Sequence, residues 1–167
     1  RNQQLCRVDR ELPPAAYALD SEQDYEIIEA RLAEADAVIL SDYGKGFVDE
    51  SLIQRILSKR SSEDTIVALD PKPRRRLRHK NVDLLTPNRT EALELAGLDK
   101  EEGGAFPTEQ VCAAIHERHA PRYLAITLGS EGMLLSEDGE LGETIPTAAR
   151  EVFDVSGAGD TVIATLT

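Results

Sequence analysis

The sequence predicts an α/β protein, with a mostly parallel sheet in a three-layer α/β/α arrangement. Two observations predict it. Short apolar runs of strand length alternate with helical stretches of about ten to fourteen residues, the pattern of repeated βαβ units. The most distinctive loops, "SDYGKG", "DPKP", "TPNRTE", "TLGSEG" and "SGAGD", each follow a predicted strand, which is where open parallel sheets bind ligands. The 167 residues are enough for one domain with its own core, and a single domain over 1–167 is expected.

The elements follow in order. "RNQQLCRVDRELPP" (1–14) reads as an extended strand leaving a sheet, broken by Pro-Pro. "EQDYEIIEARLAEA" (22–35) places Tyr25, Ile28, Leu32 and Ala35 on one helical face. "AVILS" (37–41) is a buried strand. "VDESLIQRILSKR" (48–60) is a helix with Leu52, Ile53, Ile56 and Leu57 as its apolar stripe. "TIVALD" (65–70) and "VDLLT" (82–86) are strands. "PNRTEALELAG" (87–97) is a helix with Pro87 near its start and Gly97 as its stop. "PTEQVCAAIHERH" (107–119) is a further helix, and "YLAITLG" (123–129) a strand. "GMLLSEDGEL" reads as a strand with a turn at Asp138-Gly139. "EVFDV" (151–155) is a last strand, and "DTVIATLT" begins a helix.

Composition excludes several classes. The net charge of -12 argues against a general nucleic-acid or acidic-membrane binder. No apolar run approaches the ~18–20 residues of a membrane helix. The two cysteines, Cys6 and Cys112, form no C-x-x-C metal pattern or disulfide framework, so a reducing, cytoplasmic location is expected. The chain begins at Arg1 and not at Met, so it is expected to be part of a longer chain.

Four loops are candidates for chemistry. In "VSGAGDT", Gly157 and Gly159 allow close backbone approach. The helix that follows turns its unpaired N–H groups and positive dipole end toward the loop, an arrangement suited to phosphate. Asp160 there is either a general base or simply a helix cap. In "TPNRTE", Asn88 and Glu91 share a helical face and could hold hydrated Mg²⁺ or nucleotide phosphates; the plain alternative is a capping box. In "TLGSEG", Thr127, Gly129 and Gly132 follow a strand, and the two glycines could admit a phosphate; otherwise this is an ordinary hairpin loop. In "SDYGKG", Lys45 could neutralise a phosphate or be a solvated loop lysine. The basic run "DPKPRRRLRHK" (70–80), which includes Lys72 and His79, could face ATP or a sugar phosphate; the plain reading is a solvated surface run. His116 and His119 read as surface histidines.

Taken together and in this order, the N-x-x-E motif (Asn88, Glu91), the T-x-G-x-x-G motif (Thr127, Gly129, Gly132) and the G-A-G-D motif (Gly157 to Asp160) resemble the ribokinase (PfkB-type) family of carbohydrate kinases. "RNQQLCRVDRE", "ILSDYGKG", "LDPK", "LLTPNRTE" and "VFDVSGAGDTVIA" are similar to the branch that phosphorylates the anomeric hydroxyl of D-glycero-D-manno-heptose 7-phosphate, a step toward ADP-heptose and the lipopolysaccharide core. The resemblance implies a ribokinase-like fold, ATP and Mg²⁺. Asp160 would be the catalytic base, with the amides of Gly157, Ala158 and Gly159 as an anion hole. Asn88, Arg89, Thr90 and Glu91 would meet the ATP phosphates, Glu91 also holding the metal through water. Thr127, Gly129 and Gly132 would line the nucleotide, and Lys45 and Lys72 would contact phosphates.

The implied partner is a sugar phosphate, with no nucleic acid and no membrane. The resemblance leaves open a homodimer and a fused nucleotidyltransferase domain. It also leaves open another family sugar or nucleoside kinase, and a non-catalytic nucleotide-binding fragment. Two features depart from the heptose branch: the Arg-rich stretch after "DPK", and Leu128 where that branch would carry a charge. Against the family pattern the chain is expected to be the nucleotide-side part of a kinase domain, truncated at both ends and inactive alone.

Overall fold

The computed structural model describes residues 10, 12–19, 21–73, 79–98, 105–147 and 158–167. Its centre is a six-stranded sheet in sequential order: β1 (Ala37–Ser41), β2 (Ile66–Asp70), β3 (Leu84–Leu85), β4 (Tyr123–Thr127), β5 (Met133–Glu137) and β6 (Glu140–Ile145). β1 to β4 pair in parallel. β5 and β6 run antiparallel, so the sheet is mixed. Connection length is the cause. A parallel crossover needs a dozen or more residues, whereas the segments before β5 and β6 are too short for anything but a reversal. The second is the two-residue turn Asp138-Gly139, with φ of 48° and 84°, the left-handed pair that suits the twist of a hairpin. The expected strand over 151–155 and most of the expected N-terminal strand lie outside the described residues.

Helices cover both faces. α1 (Glu22–Leu32), α2 (Glu50–Lys59), α3 (Arg89–Ala96) and α4 (Thr108–His119) lie on one side. There Leu52, Ile53, Ile56, Val111 and Ile115 pack against Val67, Leu69, Leu85, Leu124 and Ile126 of the strands. The period-2 alternation of the strands sends Ala68, Leu84 and Ala125 to the opposite face, where they meet Ile163 of α5 (Ala158–Leu166). The helix starts obey local chemistry. Ser21 accepts from the Asp24 amide at 3.2 Å, and Asp49 from the Leu52 amide at 2.8 Å, each satisfying an otherwise unpaired donor. Arg55 of α2 pairs with Glu22 and Glu29 of α1.

Two histidines expected at the surface are buried. His79 is 1% exposed and His119 8%. Their rings stack with centroids 4.5 Å apart, and His119 Nδ1 lies 3.2 Å from the His79 carbonyl oxygen. Burial pushes His79 down to about 4, assisted by His119, and also lowers His119. The folded protein therefore keeps His79 neutral, whereas an unfolded chain protonates it below its usual value near 6.5.

Stability should accordingly fall as pH drops from about 6.5 toward 4, by up to about 3 kcal/mol from His79 alone. Urea denaturation at pH 7 and pH 5 should show a smaller loss on acidification for His79→Leu than for wild type. Equal losses would remove His79 as the cause.

Candidate functional site

The carboxyl ends of β1 to β4 and the first turn of α5 bring the distinctive loops to one edge of the sheet. β1 and β2 end in register, with Ser41 opposite Asp70. Asp42 continues the ladder by donating its amide to the Asp70 carbonyl at 3.0 Å. Asp42 is 2% exposed, and of its carboxylate oxygens Oδ1 accepts from the Gly44 amide at 2.7 Å, while Oδ2 has no partner among the described residues. Lys45 lies half-buried in the same loop.

Asp70 is pushed up to about 6. Burial is the main cause; Lys72 pulls it down, while Glu91, Asp160 and Asp42 push it up. It also borders α5, since a Cβ on Gly159 would stand 3.8 Å from Asp70 Oδ2. Two residues on, Lys72 Nζ donates to Glu91 Oε1 at 2.5 Å. Burial alone would lower Lys72, but the Glu91 hydrogen bond and the charges of Glu91, Asp70 and Asp42 outweigh it and raise it. The other Glu91 oxygen accepts from the Asn88 amide at 2.9 Å, and Asn88 Oδ1 accepts from the Glu91 amide at 3.0 Å. The capping box therefore exists. It does not exclude the phosphate reading, because the same box fixes Glu91 beside Lys72 and Asp70. Gly97 (φ 68°) ends α3 in the left-handed cap that the sequence leads one to expect.

The T-L-G-S-E-G loop lies next to α3. Asn88 and Thr127 form a parallel bridge, and the Thr127 amide donates to the Pro87 carbonyl at 3.1 Å. Arg89 reaches across to Glu131 Oε1 at 2.5 Å, while Thr90 is exposed. The loop is also the hairpin link from β4 to β5, folded as a short 3-10 turn over Gly129–Glu131. Its two glycines differ. A Cβ on Gly132 (φ 102°) would stand 2.0 Å from the Ile145 carbonyl oxygen, so Gly132 is required by the fold. A Cβ on Gly129 (φ 64°) would meet nothing within 4 Å, which leaves open space over its backbone.

α5 already includes Ala158 and Gly159, so Asp160 stands inside its first turn. Its carboxylate accepts from Ser41 Oγ at 3.2 Å on Oδ1, and from the Tyr43 hydroxyl at 3.2 Å on Oδ1 and 3.0 Å on Oδ2. Gly157 lies outside the described residues. Sequence reasoning did not single out Ser41, Asp42, Tyr43 or Asp70. The available signal was an acidic residue closing an apolar strand run twice, in "ILSD" and "ALDP". A cavity of about 700 Å³, lined by Gln54, His79, Glu94 and Arg118 among others, shares Lys72 with this cluster and otherwise lies apart from it.

Gly132→Ala should destabilise the fold by more than about 2 kcal/mol, by combining left-handed backbone with a backbone clash. Gly129→Ala should cost only ~1 kcal/mol. Denaturant midpoints of the two variants test the contrast, and equal losses would refute it.

Residues 10–167 match the pfkB family carbohydrate kinase family. The bifunctional protein HldE of Helicobacter pylori (strain G27) is 35% identical over 167 residues, covering 100% of this chain and 35% of that protein. The chain thus spans about a third of the length of the curated relatives it matches. Ribokinase from Thermotoga maritima superposes with a TM-score of 0.60 at 25% identity, over 84% of this chain and 45% of that one. Arabidopsis thaliana ribokinase, complexed with ribose and ATP, gives 0.57 at 24% identity, over 87% and 46% respectively.

Proposed function

The chain belongs to the pfkB family of carbohydrate kinases, and from that premise we propose that it forms the nucleotide side of an ATP-dependent kinase acting on the anomeric hydroxyl of D-glycero-D-manno-heptose 7-phosphate. The observation that carries the reaction type is Asp160 in the first turn of α5, facing the Asp70, Lys72 and Glu91 cluster across the sheet edge. The identity to HldE along the whole chain supports the heptose substrate and, with it, a place in ADP-heptose synthesis. The second activity of those bifunctional relatives would then reside in the part of them that this chain does not match.

Asp160 takes the proton of the sugar hydroxyl as that oxygen bonds to the γ-phosphorus of ATP and the bond to the β–γ bridging oxygen breaks, releasing ADP. The amides of Ala158 and Gly159, together with Gly157, would stabilise charge on the transferring group at the positive end of α5. Gly129 leaves space for a phosphate against its backbone, and Lys72 supplies a positive charge beside Glu91. The donor set fits a cation. Asp70 is raised to about 6 by burial and by its carboxylate neighbours, and a positive ion would relieve that repulsion. Among the described residues no three carboxylate, imidazole or thiol groups form a direct metal cage, so Asp70 and Glu91 would hold Mg²⁺ through its waters. When bound, Mg²⁺ would neutralise charge on the phosphates.

The full-length protein, assayed with ATP against a panel of sugar phosphates, should prefer the heptose 7-phosphate. Asp160→Asn should lower kcat by ~10²–10⁴ while calorimetry still detects ATP binding. A near-normal rate in Asp160→Asn would remove the base assignment, and preference for a different sugar would remove the substrate assignment.

A further inference from the structure

The geometry points to Ser41 and Tyr43 as positioning residues for Asp160: two hydroxyls from the end of β1 that hold its carboxylate in place to take the substrate proton. This rests on the reading of Asp160 as the base. A carboxylate oxygen has two lone-pair sites. Oδ1 lies 3.2 Å from both Ser41 Oγ and the Tyr43 hydroxyl. Oδ2 lies 3.0 Å from the Tyr43 hydroxyl, which has one proton to give, so the two hydroxyls occupy two of the carboxylate's four lone-pair sites and fix its orientation while sites remain for the substrate proton.

The loop is built to aim Tyr43. Strand alternation sends Ser41 and Tyr43 to the α5 side and Asp42 to the other, where Asp42 is buried and accepts from the Gly44 amide at 2.7 Å. Gly44 (φ 68°) and Gly46 (φ 108°) turn the chain in conformations other residues rarely adopt. Gly46 also lies against the Pro14 carbonyl oxygen, 2.4 Å from where a Cβ would stand. The partners lie 117 and 119 positions from Asp160 in sequence, so the contact is tertiary and joins the edge of the sheet to the catalytic helix. Tyr43 is 61% exposed, so removing its hydroxyl leaves the core intact.

The test uses the full-length protein, ATP and the sugar phosphate it prefers. Tyr43→Phe should lower kcat about tenfold or more, with both KM values within about twofold of wild type and an unchanged melting temperature. Ser41→Ala should lower kcat by a smaller factor, and Ser41→Thr should restore it. In an Asp160→Asn background, Tyr43→Phe should have no further effect on kcat, because the two residues act as one unit. An unchanged kcat with a raised KM for the sugar would make Tyr43 a sugar contact and overturn the proposal. An equal fold-loss in the Asp160→Asn background would overturn it too. If Asp160→Asn loses its rate while Tyr43→Phe does not, only the positioning role fails. If Asp160→Asn keeps its rate, the base assignment fails and takes this inference with it.

Discussion

Crowded negative charge at the carboxyl edge of the parallel strands is the constraint on which the rest of the site depends. Asp42 and Asp70 end neighbouring strands, and Glu91 and Asp160 approach from the starts of two helices. Four carboxylates this close are tolerable only with compensation. Lys72 provides part of it, held to Glu91 and raised by its acidic neighbours. Hydrogen bonding provides more: amides of Gly44 and Asn88 for Asp42 and Glu91, hydroxyls for Asp160. Asp70 is the member left least compensated, and burial with like charge shifts it upward. A cluster of this kind is poised for cations and for groups that carry them, which is what a nucleotide–metal complex is.

Two of the loops serve fold and chemistry together. The Asn88–Glu91 box starts α3 and also presents Glu91 to Lys72. The 127–132 loop reverses the chain between β4 and β5 and also presents Gly129 beside α3. Choosing between a structural and a functional reading for such motifs is a false alternative, because the helix start that needs a cap is also the place where amide donors are available.

Much of this was legible in the sequence, and the remainder was not for physical reasons. Periodicity picked out Leu52, Ile53 and Ile56, which are buried, and local cap chemistry marked both ends of α3. Strand direction is not encoded in an apolar run: the expected parallel pairing is present in β1 to β4, and the reversals at β5 and β6 have to be read from connection length. The burial of His79 beside His119 depends on residues 40 apart in sequence, and a histidine at the end of a basic run carries no local sign of it. The motifs of the candidate site stand out as short patterns. The hydroxyls around Asp160 do not, because Ser41 and Tyr43 belong to a strand end far away in the chain.

Among the described residues α5 buries one side chain, Ile163, against the sheet. A fully buried isoleucine contributes roughly 2–3 kcal/mol. The hydroxyl contacts that aim the proposed base also link the first turn of its helix to the end of β1. Accuracy of aim and attachment of the helix become one quantity, so a ligand that settles against its amide end also lowers the entropy of the base it needs.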